Sequence, residues 1–176
     1  MAFDAPSLLP SNSDNFSNDA CKAVEDLLSC ALDLTNYSLE ERPQDLIAFL
    51  NKTCSLRQLS FRSLDLNSEE AMCIYINLYH CLTQHILIVN GCPTKGVFSR
   101  LSIIRHMRCF CYEIGEDVFS LAELDFIIRG SMSLPVHTKL SPYILPPKNL
   151  LRPYQKCYGL MFGDHRINFV LVSELF

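Results

Sequence analysis

The sequence predicts an α+β fold in which N-terminal helices and one long central helix pack on a small antiparallel sheet. Three observations lead to this class. Apolar residues recur at helical spacing through the first half of the chain, one long apolar stretch follows near residues 69–90, and the pattern changes to alternation near residue 108. A chain of 176 residues is long enough for one domain with its own hydrophobic core.

The chain begins with a polar segment and continues as two amphipathic helices. Residues 1–16 are rich in Ser, Asn, Pro and Asp and lack an apolar period, so we expect a disordered leader, with ordered structure starting near Asn18. The apolar spacing then predicts one helix, and a second helix that starts after Pro43. We therefore expect residues 17–66 to be a helical N-terminal segment that precedes a domain over residues 67–176.

The long central helix is bounded by capping signals. Asn67 followed by Glu70 predicts a capping box at its start, and Gly91 predicts its end. The helix is apolar on most sides, which is typical of a buried helix. One polar stripe interrupts it, formed by Asn77, His80, Cys81, Gln84 and His85. Buried polar groups must be paired internally or face a pocket, and the sequence leaves both alternatives open.

After the central helix the apolar period changes to two. Residues 108–119 alternate around a turn at Gly115, which predicts a β-hairpin. Ser120 with Glu123 forms a second capping box and predicts a helix that ends at Gly130. This order of elements places a small antiparallel sheet beside the central helix.

Three further segments complete the chain. The spacing predicts a short helix over residues 97–106, and five prolines within residues 133–153 indicate a long loop. The nearly continuous apolar run over residues 166–172 is typical of a central strand. Because this run lies close to Phe176, we expect the natural domain to continue beyond that residue.

Composition limits the function classes. The nine cysteines have no disulfide-framework spacing and the first residues lack a signal-peptide pattern, so we expect a reducing compartment, cytoplasmic or nuclear, and not a secreted protein. The net charge of −4 argues against a nucleic-acid partner. Polar residues interrupt the long apolar stretch, which favours a core helix over a transmembrane segment. One basic cluster, consisting of Lys95, Arg100, Arg105 and Arg108, is a candidate site for phosphate or anionic lipid.

Three blocks resemble the domain of unknown function 547 family. Residues 73–85, Cys-Ile-Tyr-Ile-Asn-Leu-Tyr-His-Cys-Leu-Thr-Gln-His, are similar to that family's A-F-W-I-N-L-Y-N-A-L-x-x-H. Residues 112–115 and 120–130 resemble its Y-x-I-G-G and S-L-x-D-I-E-x-x-I-L-R-G, and residues 164–174 resemble D-P-R-I-H-F-A-L-N-C-G. The resemblance implies a cysteine-peptidase-like fold of the papain or transglutaminase type.

The last block departs from the family pattern at three polar positions. Asn168 stands where the family has His, Val172 where it has Asn, and Ser173 where it has Cys. If a cysteine nucleophile belongs to this block, the chain has lost it. The resemblance therefore implies a degenerate, non-catalytic relative that acts as an intracellular protein-interaction or scaffold module.

Other chemistries remain as alternatives. A cysteine-dependent hydrolase or transferase acting on peptide or amide bonds would take its nucleophile from Cys73, Cys81 or residues beyond Phe176, with His85 as the candidate base. No paired short Cys or His spacing indicates a metal site, and no motif indicates a cofactor. Four charged motif residues are expected to form structural ion pairs, Asp125 with Arg129 and Asp164 with Arg166.

Overall fold

The computed structural model describes residues 12–35, 42–91, 107–129, 158–161, 164 and 166–171. These residues form an α+β fold, as the sequence predicts. The elements are α1 (Asn12–Thr35), α2 (Pro43–Ser55), α3 (Glu69–Asn90), β1 (Cys111–Ile114), β2 (Asp117–Ser120), α4 (Leu121–Arg129) and α5 (Ile167–Leu171). Two single 3-10 turns, Leu56–Gln58 and Phe61–Ser63, connect α2 to α3.

The first helix begins earlier than the sequence predicts. The helix α1 starts at Asn12 and so includes residues 12–16, which the sequence pattern assigns to the leader. Ser, Asn and Asp are favoured at helix starts, where side-chain oxygens can accept from free backbone N–H groups. A polar segment without an apolar period can therefore open a helix. Residues 1–11 lie outside the described residues.

The core is built around α1 and α3, which pack along each other. Val24, Leu27 and Ala31 recur at helical spacing on α1 and are fully buried. Phe49 of α2 is buried in the same core. Within the described residues, α3 is long and apolar enough to span a membrane by length and composition. It is packed against α1 and α4, which is typical of the core helix of a globular domain.

The ends of α3 are capped by side-chain and backbone contacts. The N-cap is Ser68, whose hydroxyl accepts from the Ala71 amide at 3.1 Å, so the predicted Asn67 cap is wrong by one residue. Gly91 ends the helix with φ at +71° and donates from its amide to the Leu87 carbonyl at 2.8 Å. The left-handed region favours glycine there.

The predicted hairpin is present. β1 and β2 pair antiparallel, with Ile114 opposite Asp117 across a two-residue turn. Gly115 opens this turn with φ at +61°, and a Cβ there would lie 2.5 Å from the Leu59 carbonyl oxygen. Glycine is therefore required at the turn by both conformation and space.

The predicted capping box at the start of α4 is also present, because the Ser120 amide donates to Glu123 at 2.7 Å.

The predicted C-terminal strand is wrong. The residues Ile167–Leu171 form the helix α5. Ile167 and Leu171 lie about one helical turn apart and are buried, and Val170 is 40% exposed. Asp164 favours this helix, because its carboxylate accepts from the Arg166 amide at 2.9 Å. A short apolar run cannot be assigned to strand or helix by periodicity alone.

Candidate functional site

The five residues of the polar stripe on α3 are placed in different surroundings. Cys81 and Gln84 are buried, whereas Asn77, His80 and His85 are half-buried. The His80 ring lies edge-on to Tyr79, with ring centroids 5.8 Å apart. The stripe is thus covered by neighbouring elements along part of its length, and among the described residues its members do not share one open cleft.

Cys81 lies under α1. Its side chain is fully buried, and its Sγ atom lies 3.9 Å from the backbone carbonyl oxygen of Val24. Burial is the main reason that the pKa of Cys81 is raised to about 12. The thiol therefore stays protonated at neutral pH, and the thiolate that a nucleophile requires is not formed.

His85 lies between α2 and the hairpin. Its Nδ1 atom is 3.2 Å from the Tyr112 hydroxyl of β1. The Phe49 ring of α2 packs edge-on against the imidazole, with centroids 5.0 Å apart. Burial lowers the pKa of His85 below its ordinary value, so the imidazole is neutral at pH 7. This is the environment of a paired core histidine.

Cys73 is exposed near the start of α3. It lies twelve positions before His85, which corresponds to about 18 Å along an α-helix. A hydrogen bond between a nucleophile and its base requires about 3 Å between heavy atoms. Cys73 and His85 are therefore too far apart to act as a nucleophile–base pair.

A second polar cluster, which the sequence did not predict, lies beside the hairpin turn. The Tyr158 hydroxyl donates to the Asp117 carboxylate. Arg62 reaches from the segment before α3, with its Nε 3.6 Å from Asp117 and its Nη2 3.2 Å from Glu116. These residues come from three separate parts of the chain, so spacing alone could not bring them together.

An open groove lies next to this cluster. Its volume is about 390 Å³, and it is lined by residues 57–60 and Arg62 before α3 and by residues 114–117 of the hairpin. Arg57 pairs with Glu113 at 2.7 Å. The arginines at the groove are therefore neutralised by neighbouring carboxylates, and this arrangement stabilises the contact between the two segments.

One buried hydroxyl lies near the same cluster. The Tyr75 side chain is fully buried, and within the described residues its hydroxyl has no hydrogen-bond partner. Phe61 packs edge-on against the Tyr75 ring, with centroids 5.7 Å apart. Burial raises the pKa of Tyr75, and the negative charge of Asp117 adds to that shift.

The expected ion pairs differ in burial. Asp125 and Arg129 are mostly buried and lie 3.0 Å apart on α4. Burial raises the pKa of Asp125 even though Arg129 opposes the shift. Asp164 and Arg166 also pair, at 2.7 Å, but the Arg166 side chain is 89% exposed. The Asp164–Arg166 pair therefore lies at the surface, whereas the Asp125–Arg129 pair is mostly buried.

The remaining predicted residues lie partly outside the described residues. Asn168 lies on α5, whereas Val172 and Ser173 lie outside the described part. Of the basic cluster, Arg108 is described and exposed, and the other members are not described. The predicted helix over residues 97–106 and the loop over residues 133–153 also lie outside it. In the part of the chain that the structure describes, no group of three or more His, Cys, Asp or Glu residues could hold a metal ion.

Comparison with known proteins gives one match. The family model described as a protein of unknown function, DUF547, matches residues 63–176. No curated protein and no solved structure matches the chain. The matched region contains α3, the hairpin, α4 and α5, whereas α1 and α2 precede it.

Proposed function

The chain belongs to the DUF547 family, and from this membership we propose that it acts as a non-catalytic, cysteine-hydrolase-like module that binds a protein partner. The observation that carries this proposal is the environment of Cys81. Its thiol faces a carbonyl oxygen of α1 and is held in the protonated form by burial. The best-placed thiol of the family block is therefore inert as a nucleophile.

The geometry of His85 supports the same function. A general base must present a ring nitrogen to the group from which it takes a proton. Nδ1 of His85 already faces the Tyr112 hydroxyl, and Phe49 packs against the ring. The imidazole therefore joins α3 to the hairpin and to α2, and its role is structural.

Substitutions in the last block add a second line of support. The family pattern has His, Asn and Cys where this chain has Asn168, Val172 and Ser173. These are the residue types that cysteine hydrolases use as base, orienting residue and nucleophile. Their combined replacement favours loss of catalysis over a change of substrate.

Exposed apolar side chains on α2 support a binding role. Pro43, Ile47, Leu50 and Cys54 fall within an arc of about 60° on the helix. All four are exposed, and Ile47 and Leu50 expose 49% and 41% of their surface. An apolar face of a partner helix would remove these side chains from water.

We place the interaction in a reducing compartment, because all seven cysteines of the described residues are free thiols.

A thiol-directed probe tests the proposal. We expect a chloroacetamide probe at neutral pH to label exposed cysteines, such as Cys54 and Cys73, and to spare Cys81. His85→Ala should leave the labelling of the exposed cysteines unchanged, because none of it depends on a base. The measurement is peptide mass spectrometry of the labelled full chain.

Val89→Ala is the matched control, since Val89 lies on the same helix and is 60% exposed. Stoichiometric labelling of a single cysteine that His85→Ala abolishes and Val89→Ala preserves would contradict the proposal. That result would favour a cysteine-dependent hydrolase or transferase.

A further inference from the structure

Ser60 lies in the open groove beside the hairpin turn, together with two exposed arginines. Ser60 is itself exposed, and its hydroxyl makes no capping hydrogen bond to the 3-10 turn that follows it. Arg57 stands three residues before Ser60 and Arg62 two residues after it, and their side chains are 65% and 63% exposed. All three residues line the groove. An exposed serine thus lies beside two guanidinium groups.

The position of Arg57 gives Ser60 a charge pattern that no other serine or threonine of the sequence shares. Ser60 alone among them has an arginine three positions earlier in the chain. Protein kinases select their substrates in part by charge pattern. A kinase with carboxylates in its substrate groove can bind such an arginine through bidentate hydrogen bonds. The pattern therefore favours a kinase that selects basic substrates.

The backbone around Ser60 is suited to binding in an extended conformation. Leu59 and Ser60 both have extended backbone angles. The 3-10 turns on either side, Leu56–Gln58 and Phe61–Ser63, are three residues each, and such turns have poorer hydrogen-bond geometry than α-helices. Phe61 is buried in the core, so a kinase reaches this segment when the connection opens locally. Local opening of a short connection costs less free energy than unfolding of the core helices.

We propose that Ser60 is a phosphorylation site for a protein kinase that recognises Arg57, and that the phosphate weakens the contact of this segment with the hairpin. The Ser60 oxygen attacks the γ-phosphorus of ATP, so that a P–O bond forms as the bond to the β,γ-bridging oxygen breaks. ADP leaves, and the hydroxyl proton passes to the carboxylate base of the kinase.

The ion pairs at the groove give the phosphate its effect. Arg57 pairs with Glu113 at 2.7 Å, and Arg62 pairs with Glu116 at 3.2 Å. A phosphate at Ser60 carries a charge of about −2 and competes for both arginines. It also repels the hairpin carboxylates that line the same groove. Both effects act against the contact between the segment before α3 and the hairpin.

Phosphorylation of the full chain tests the site. The chain is treated with Mg²⁺, ATP and the constitutively active catalytic domain of calmodulin-dependent protein kinase II, and peptide mass spectrometry measures the initial rate at each serine. Ser55 is the internal reference, because it is exposed and Lys52 stands three residues before it. Its hydroxyl, however, donates to the Lys52 carbonyl at 2.6 Å. We expect Ser60 to be phosphorylated at least about tenfold faster than Ser55.

Two substitutions separate recognition of Arg57 from packing. Arg57→Gln removes both the cation and its ion pair with Glu113, so the rate at Ser60 should fall about tenfold or more. Glu113→Gln removes the same ion pair but keeps the cation, so the rate should not fall. A Ser60 rate no higher than that of Ser55, or equal losses in the two variants, would overturn the proposal.

The urea midpoint of unfolding tests the effect of the phosphate. We expect the midpoint of the chain phosphorylated at Ser60 to be lower than that of the untreated chain by about 0.2–0.5 M. Kinase treatment of Ser60→Ala should leave its midpoint unchanged. Equal midpoints before and after phosphorylation of Ser60 would overturn the proposed effect on the hairpin contact.

Discussion

At the residue scale, Cys81 and His85 lie on one face of α3 but contact different neighbouring elements. Their spacing of four places them close together on α3, and the sequence could predict that proximity. It could not predict that α1 covers the sulfur while α2 and β1 hold the imidazole. These contacts join residues far apart in the sequence, and a local sequence pattern does not predict them. The sequence therefore indicates that the two residues lie close together on α3, and the packed fold is needed to identify the contacts of each.

The buried Tyr75 hydroxyl gives a prediction at this scale. A buried hydroxyl without a partner loses its hydrogen bonds to water, at a cost of about 1–3 kcal/mol. Within the described residues the Tyr75 hydroxyl is in that situation. We therefore expect Tyr75→Phe to raise the free energy of unfolding by about 1 kcal/mol, measured by urea denaturation.

Tyr112→Phe is the matched control for Tyr75→Phe. Tyr112 is also buried, but its hydroxyl lies 3.2 Å from Nδ1 of His85. Its removal should lower the free energy of unfolding by about 1 kcal/mol. Equal effects of the two variants would show that the Tyr75 hydroxyl is satisfied.

At the scale of elements, prediction succeeded where a local rule fixes the structure. The α4 cap at Ser120 and Glu123 and the glycine turn at Gly115 each follow from contacts a few residues apart. Prediction failed for α5, because a five-residue segment with four apolar residues fits a strand or a helix equally well. The backbone of this segment is helical, and the choice between helix and strand depends on how the segment packs in the folded molecule.

The packing of α1 on α3 gives a prediction for elements. Leu27 is fully buried, so Leu27→Ala leaves a cavity and should lower the free energy of unfolding by about 2–5 kcal/mol. Leu32 lies on the same helix and is 45% exposed, so Leu32→Ala should change it by no more than about 0.5 kcal/mol. Urea denaturation of both variants provides the measurement. Equal losses would contradict the observed burial of α1.

At the scale of the whole molecule, the N-terminal helices and the family region share one core. The family match begins at residue 63, yet α1 and α2 contribute buried residues such as Leu27 and Phe49 to the same cluster. The α+β class followed from periodicity along the sequence. The packing of α1 and α2 on the family region could not be predicted in this way. The pattern of an amphipathic helix shows that one face is buried, but it does not show which surface covers that face.

The stability of the whole molecule should depend on pH through His85. Burial lowers its pKa in the folded state below the ordinary value of 6.5, so between the two values the unfolded chain binds more protons. The contribution of the neutral His85 to the free energy of unfolding is complete above pH 6.5, and it is lost as the pH falls toward the pKa of the folded state. We expect the free energy of unfolding to decrease from pH 7 to pH 5, and to decrease less in His85→Gln. Identical slopes in urea denaturation series would contradict this linkage.

The cover over Cys81 has an evolutionary consequence. The lid over that sulfur comes from a helix that precedes the region shared with the family. A relative built without such an N-terminal addition would expose the corresponding flank of its central helix to solvent. In this chain the helix α1 both adds buried residues to the core and covers that side of α3.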